Sequence, residues 1–501
     1  MESTSTLKVA PVRHLEWARL LIPLWTALVA LGLFALFYQR GFDDPYITYR
    51  YADNLSAGRG FVYNVGERVL STTTPLYALL LAGLGRIGLD VPLVSNAIGC
   101  LGLALSGLAF WRLGQVWRLP VAGGVGLLLY PCFSLLIVTL GAESILYITL
   151  ILFGFLACAE ERYRWAAVLL ALAALTRADG LVAAGTGGLY ILITRLAPVR
   201  SAWDRLCSWD WYARLPWLAL LVYGAILLPW FVFATWYFGA PFPATLAAKQ
   251  QQGQMALSRD FLTGLLGQVR AYWNLPFYQL HFGLAAIGLV YGIARQRHWL
   301  LIPAWCLLYA AAYTFLGVSG YFWYYAPLVA GFIALIGLGV AAVHRAMAHI
   351  VSRQWAMAGA LLLLLGLLTP QLNGLATFRH TTDTRLSIYR ATGEWIRDHT
   401  PTDASVGVLE VGIIGYYAQR QMIDFAGLIQ PDVALQLLPD STYEDAAIWV
   451  VQRYRPTYLV LQQGAFSRLE GDAAVQTACR VEASFQSPNY DGTLVVYKCH
   501  W

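Results

Sequence analysis

Long apolar segments recur along most of this chain and restrict what it can fold into. Twelve stand within the first 370 of its 501 residues, separated by short polar or arginine-containing connectors. Several approach the roughly 20 residues that an α-helix needs to cross a bilayer. Hydrophobic residues make up 58% of the chain and charged residues 12%, which excludes an ordinary soluble protein. We predict a polytopic α-helical membrane protein with apolar segments at Leu20–Tyr38, Ser71–Gly88, Pro92–Trp111, Val121–Leu140, Ser144–Ala159, Trp165–Leu175, Gly180–Ile193, Leu215–Tyr237, Tyr278–Ile293, Leu300–Leu316, Phe322–Val343 and Trp355–Leu368.

The arginines predict orientation, because positively charged loops face the cytoplasm. Alternate connectors are rich in arginine: Arg112 and Arg118, Glu160–Arg164, Arg195–Arg214, Arg295–His298 and His344–Arg353. With a retained first span and the N-terminus inside, Asp43 faces outward and Arg112 inward, so only one crossing separates them. We expect Ser71–Gly88 to lie at the interface, which leaves about eleven crossings. Since orientation already accounts for the basic residues, no nucleic-acid partner is predicted.

The last 131 residues change character. Residues 371–501 carry Asp, Glu, Gln and Pro at the frequencies of soluble domains, whereas residues 1–370 form the transmembrane domain. An amphipathic helix is predicted at Ser387–Asp398, and strands at Ser405–Leu409, Thr457–Leu461 and Thr493–Lys498. We therefore expect a small α/β domain on the extracytoplasmic side. Cys479 and Cys499 could form a disulfide bond there.

An acidic pair, Asp43 and Asp44, follows the first apolar segment closely. The pair stands in the string Gly41-Phe-Asp-Asp-Pro-Tyr-Ile-Thr-Tyr-Arg-Tyr-Ala, and Gly60-Phe-Val-Tyr-Asn-Val-Gly-Glu-Arg-Val follows in the same loop, residues 39–71. This loop resembles the first external loop of GT-C membrane glycosyltransferases, especially bacterial proteins related to arabinofuranosyltransferases. The superfamily also includes protein O-mannosyltransferases and the lipid A aminoarabinose transferase. Where such proteins usually carry Thr-Ser-Pro, this chain has Thr73-Thr-Pro, which leaves the acceptor contacts open.

The resemblance implies sugar transfer from a polyprenyl phosphate, and that chemistry needs two kinds of group. A carboxylate must accept the proton of the attacking hydroxyl, a role that suits Asp43 or Asp44. In the resembling loops the first acid is usually the base, which favours Asp43, while Asp44 orients the acceptor. A fixed cation must stabilise the departing phosphate, and Arg177 and Lys249 suit that role.

Further substrate-binding residues are predicted on the same external face. They are Glu143, Asp179, Tyr321 and Tyr324. Simpler interpretations stay open: Glu143 could be an ordinary first-turn acid, Arg177 could pair with Asp179, and Lys249 could reach toward the interface. The aromatic residues Tyr321–Tyr325 could equally form an interfacial belt.

These features predict an inverting glycosyltransferase that moves a monosaccharide from a polyprenyl-phosphate donor to an acceptor hydroxyl. The acceptor would be a cell-envelope glycan, a glycolipid or a protein, outside a bacterial plasma membrane. No cofactor is required, because the cations can neutralise a monophosphate, although the paired aspartates could hold a divalent metal. The alternatives are a lipid or sugar transporter, or flippase, and a non-catalytic assembly factor. A transporter often shows an internal repeat, and the sequence shows none.

Overall fold

The computed structural model describes residues 14–196, 215–256, 258–380, 383–488 and 490–501. The connector predicted at Arg195–Arg214 lies mostly outside the described residues. The helices of the apolar part are α1 (His14–Phe37), α2 (Pro45–Ser56), α3 (Pro75–Arg86), α4 (Val91–Val116), α5 (Pro120–Leu129), α6 (Ser134–Ile137), α7 (Ser144–Ala159), α8 (Tyr163–Thr176), α9 (Gly180–Leu196), α10 (Trp217–Phe238), α11 (Thr245–Gln254), α12 (Phe261–Trp273), α13 (Tyr278–Arg295), α14 (Leu301–Leu316), α15 (Leu328–Met347) and α16 (Arg353–His380). Short 3₁₀ turns occupy Tyr130–Cys132, Arg297–Leu300 and Phe322–Tyr324.

The apolar helices are those of a multi-pass membrane protein. In the described part of the chain, five helices are long and apolar enough to cross a membrane, and a sixth span forms if α12 and α13, bent by 114°, count as one. Six further apolar helices have 10–17 described residues. The figure of about eleven crossings stays a prediction. Helix α3 has 12 residues and measures about 18 Å, too short for a hydrocarbon core of about 30 Å.

Proline explains two of the differences between the predicted apolar segments and the observed helices. Val121–Leu140 is not one helix, because α5 ends before the turn that contains Pro131, and α6 begins after it. Proline lacks the N–H that a continuing helix needs. The helix predicted at Phe322–Val343 starts six residues later, because α15 begins at Leu328, directly after Pro327. The aromatic residues ahead of Pro327 therefore belong to a turn.

The polar tail is an α/β domain, as predicted. Its helices are α17 (Arg385–His399), α18 (Ile413–Ala418), α19 (Pro431–Ala434), α20 (Tyr443–Tyr454), α21 (Ser467–Glu470) and α22 (Ala473–Ala478). Its strands are β1 (Ser405–Val408), β2 (Gln421–Asp424), β3 (Tyr458–Gln462), β4 (Cys479–Phe485) and β5 (Leu494–Cys499). The sequence prediction missed β2 and β4. Helix α16 runs to His380, so the predicted boundary at 370/371 falls inside it.

The five strands form one mixed sheet in the order β2-β1-β3-β5-β4. β1 pairs in parallel with β2 and β3, whereas β5 pairs antiparallel with β3 and β4. Val406, Met422 and Leu459 are fully buried between the sheet and its helices. The chain therefore leaves β1 toward β2 on one side and returns to β3 on the other.

The tail is packed onto the loop that follows α1. Arg50 is 4% exposed, and its guanidinium donates to the carbonyl oxygens of Tyr63, Gly415 and Arg420. Asn64 and Met422 exchange two hydrogen bonds of 2.9 Å. A buried arginine is tolerated only when its donors are satisfied, so the tail carbonyls hold the loop in place.

A disulfide bond joins Cys479 to Cys499, which face each other across β4 and β5. We expect a thiol count on the denatured protein to rise by two when reductant is added. Serine at both positions should abolish that rise, whereas Cys100→Ser, which changes a free buried cysteine, should leave it intact. An unchanged count in the wild-type protein would contradict the bond.

Candidate active site

The acidic pair lies at the start of α2 and faces a cavity between the helical bundle and the tail. Pro45 begins the helix, since its fixed φ suits the first helical position. Asp44 precedes it, and its carboxylate makes no capping bond to the helix. Both aspartates line a cavity of about 300 Å³. Its walls also include Lys249, Gln252, Tyr321, Trp323, Arg385, Glu410 and Leu428.

Asp43 is held by the tail domain. Its two carboxylate oxygens accept hydrogen bonds from the backbone N–H groups of Gly412, at 3.1 Å, and Ile413, at 2.7 Å. A Cβ atom at position 412 would overlap the carbonyl oxygen and the carboxylate of Asp43, so only glycine allows this approach. Because each carboxylate oxygen has a second lone pair, Asp43 can still accept a proton from a substrate.

Glu410 is a third carboxylate at this cavity, and the sequence prediction missed it. It is the second residue after β1 and lies 3.8 Å from the guanidinium of Arg385. Burial raises the pKa of Asp43, and the nearby Glu410 raises it further. Burial likewise raises the pKa of Glu410. Two adjacent carboxyl groups cannot both ionise at low cost. The position of Glu410 after a predicted strand could have identified it, because residues that follow parallel strands often bind ligands.

Lys249 is the cation of the cavity that lies beside the acidic pair. Its ammonium nitrogen lies 3.6 Å from Oδ1 of Asp44 and 4.1 Å from the centre of the Tyr321 ring. Burial alone would lower the pKa of Lys249, but Tyr321 and Asp44 outweigh that effect and raise it. The side chain therefore keeps its positive charge although it is buried.

The remaining predicted charges form a separate cluster around Arg177. The guanidinium of Arg177 contacts Glu143 at 3.0 Å, Asp179 at 2.8 Å and the hydroxyl of Tyr313 at 2.8 Å. These groups satisfy one another, and within the described residues none of them lines the cavity. The structure thus brings Glu143, Arg177 and Asp179 together, but away from Asp43.

An aromatic turn, residues 321–325, separates the two charge clusters. The Tyr324 ring lies 5.7 Å from the guanidinium of Arg177, whereas Tyr321 lies on the Lys249 side. Tyr321 stacks on Trp323 with ring centres 4.5 Å apart and donates to Gln252 at 3.2 Å. Of the two predicted tyrosines, Tyr321 therefore faces the cavity and Tyr324 faces the Arg177 cluster.

The cavity floor depends on Asp424, which sequence reasoning did not select. Its carboxylate accepts hydrogen bonds from the backbone N–H groups of Ala426, Leu428 and Ile429. Burial raises the pKa of Asp424 to about 7. Gln252 of α11 donates to the carbonyl of Ala426 at 3.1 Å, which ties this loop to the bundle.

Within the described ranges, no group of three or more His, Cys, Asp or Glu residues is arranged to hold a metal ion. The acidic pair instead divides its contacts, with Asp43 toward the tail amides and Asp44 toward Lys249. Participation of a divalent metal stays a prediction.

Comparison with solved structures identifies the architecture. ArnT from Cupriavidus metallidurans in the apo state superposes with a TM-score of 0.61 at 15% identity, over 96% of this chain and 98% of that chain. The same protein bound to undecaprenyl phosphate superposes with a TM-score of 0.56 at 16% identity, with the same coverage. The oligosaccharyltransferase AglB from Archaeoglobus fulgidus, in complex with an inhibitory peptide and a dolichol-phosphate, gives 0.58 at 13% identity over 90% of this chain and 70% of that one.

These matches confirm the resemblance at the level of fold: the chain has the GT-C fold. Identities of 13–16% establish the architecture and leave the activity open. Residues 376–497 match a family described as a domain of unknown function, DUF8728. No curated protein matches the sequence.

The contact between Gly412 and Asp43 generates a prediction. Gly412→Ala should destabilise the packing of the tail by about 1–3 kcal/mol, because the new methyl group overlaps Asp43. We expect a lower melting temperature in detergent and faster protease cleavage near residue 380. Gly224→Ala is the control, since nothing lies within 4 Å of a Cβ there. Equal melting and cleavage of the two variants would contradict the contact.

Proposed function

We propose that this protein is an inverting glycosyltransferase that uses a polyprenyl-phosphate monosaccharide. One observation carries the proposal: in a GT-C fold, the paired carboxylates and Lys249 face the same cavity. A proton acceptor and a fixed cation are the two groups that displacement of a sugar from a phosphate requires. The site would act on the extracytoplasmic face of a bacterial plasma membrane.

Asp43 is the proposed base. The acceptor hydroxyl attacks the anomeric carbon, its proton passes to the Asp43 carboxylate, and the bond from the anomeric carbon to the phosphate oxygen breaks. The electron pair of that bond stays with the phosphate, and a single displacement inverts the anomeric centre. The raised pKa of Asp43 makes its carboxylate a better proton acceptor near neutral pH. The amides of Gly412 and Ile413 hold it in one orientation.

Lys249 is the proposed contact of the departing phosphate. Among the described residues, the ion pair of Lys249 is with Asp44, at 3.6 Å, so an incoming phosphate can share the ammonium group. Asp44 then becomes available to orient the acceptor. Arg177 is already bonded to Glu143 and Asp179, and we propose that this cluster supports the aromatic turn through Tyr324. A direct contact between Arg177 and the phosphate stays a prediction.

Two further observations support the donor and the face of the membrane. Structures with a similar fold include ArnT bound to undecaprenyl phosphate and AglB in complex with a dolichol-phosphate, and both of these ligands are lipid phosphates. A disulfide bond in the tail is typical of a domain outside the cytoplasm. These observations apply to any sugar and any acceptor.

The proposal is tested by release of free polyprenyl phosphate from a panel of polyprenyl-phosphate sugars mixed with a crude membrane extract as acceptor. With the productive donor, Asp43→Asn should reduce release at least about 100-fold, because the amide cannot accept the proton. Asp44→Asn should also reduce it strongly. Asp398→Asn, on the exposed surface of α17, is the control. Turnover retained by both site variants would refute the assignment, and release from no donor would favour a transporter or assembly factor.

The Glu410 carboxylate predicts a shift in pH dependence. Asp43 must be unprotonated to act, so kcat/KM should fall as the pH drops below its raised pKa. Glu410→Gln removes the neighbouring negative charge, which makes Asp43 easier to ionise and lowers its pKa. The acid limb of the pH profile should therefore move to lower pH, while Asp398→Asn leaves it in place. If the acid limb of the Glu410→Gln profile is unchanged or moves to higher pH, this coupling is contradicted.

A further inference from the structure

A second cavity, of about 330 Å³, lies inside the tail domain. It opens where β1 and β3 end, between Val408 and Leu409 on one side and Val460 and Gln462 on the other. Its volume falls at the lower end of the range for small-molecule sites, about 300–1,000 Å³. Nothing in the proposed mechanism uses this cavity.

The position within the sheet favours ligand binding. β1 and β3 are parallel neighbours, and the chain leaves β1 toward β2 on one side but leaves β3 toward β4 and β5 on the other. The loops after these two strands therefore diverge and leave a crevice at their carboxyl ends. In open α/β sheets, ligands bind in such a crevice.

The two cavities share walls. Leu409, Glu410 and Tyr443 line both the tail cavity and the cavity that holds Asp43. A molecule bound in the tail cavity can therefore reach toward the Asp43 carboxylate beside Glu410. This geometry suits an acceptor that is bound in the tail and presents one hydroxyl to the base.

The chemistry of the lining indicates the class of ligand. No Lys, Arg or His is among the described residues that line the tail cavity, which disfavours an anionic group. The lining instead combines three tyrosines and apolar residues with four polar side chains, Gln462, Thr442, Glu410 and Glu444. Aromatic faces pack against the C–H faces of sugar rings, while amide and carboxylate oxygens accept from sugar hydroxyls.

We propose that the tail cavity is a binding site for a neutral carbohydrate, which is the acceptor of the transfer reaction. The proposal rests on the proposed function for its place in catalysis, but binding of the carbohydrate can be measured without the donor. Tyr490 donates to the Gln462 side-chain oxygen at 3.2 Å, and Gln462 donates to the Asp491 carbonyl at 3.2 Å. These bonds hold the amide in a fixed orientation at the wall.

The test measures binding of neutral trisaccharides of glucose, mannose and galactose to the full-length protein in detergent, by saturation-transfer NMR and calorimetry. Ala465→Trp places an indole in the cavity and should weaken binding at least tenfold. Gln476→Trp, on the exposed face of α22, is the matched control and should bind like the wild-type protein. Gln462→Ala removes a polar group from the wall without filling the cavity, and it should also weaken binding. It provides the test if Ala465→Trp fails to fold.

Undecaprenyl phosphate binding is measured on the same proteins to separate the two proposals. We expect Ala465→Trp to bind this lipid like the wild type, because Lys249, the proposed contact of the phosphate, does not line the tail cavity. Lipid binding without trisaccharide binding would overturn the carbohydrate site and leave the proposed function standing. Trisaccharide binding without lipid binding would overturn the proposed function and leave the carbohydrate site standing. Equal trisaccharide binding by all variants would also overturn the carbohydrate site. So would a protein that binds a neutral peptide instead of the sugars and loses that binding in Ala465→Trp.

Discussion

The hydrogen bonds from Gly412 and Ile413 to Asp43 are the contact on which the cavity depends. They join a residue at the start of α2 to a backbone turn 369 positions later in the chain. They place the acidic pair against the turn that carries Glu410. The buried Arg50 reinforces the same junction, because its donors are satisfied by tail carbonyls. The tail is therefore part of the site's wall rather than an appendage.

Arg385 is paired with Asp383 and Glu410, and other charged groups near this junction form two further neutralising sets. Lys249 is paired with Asp44, whereas Arg177 is paired with two carboxylates, Glu143 and Asp179. A buried charge needs a partner, and a cation with two anionic partners has little capacity for a third. This difference is why the Lys249 side is better suited to a transient phosphate. The aromatic turn between the sets contacts both and keeps them apart.

Much of the fold could be predicted, because hydropathy reports burial segment by segment. Most apolar segments are helices, and the predicted tail strands at 405–409, 457–461 and 493–498 are present. The errors arose where a local residue overrides hydropathy, as at Pro131 and Pro327. Strand β4 was missed because its side chains are mostly exposed, so it lacks an apolar run. Helix α11 was missed because it is polar, and only its contacts bury Lys249 and Gln252.

The sequence alone determined that the chain is a membrane protein, since backbone groups in a bilayer must be satisfied within apolar helices. It also supplied candidates for the chemistry, because Asp43, Asp44, Lys249 and the aromatic turn stand out by type and position. Only the tertiary structure decided which of them meet. Glu410 reaches Asp43, and Arg177 reaches Glu143, through the packing of segments distant in the chain. Local patterns report whether a residue is buried, but its partners depend on how the helices and the tail pack together.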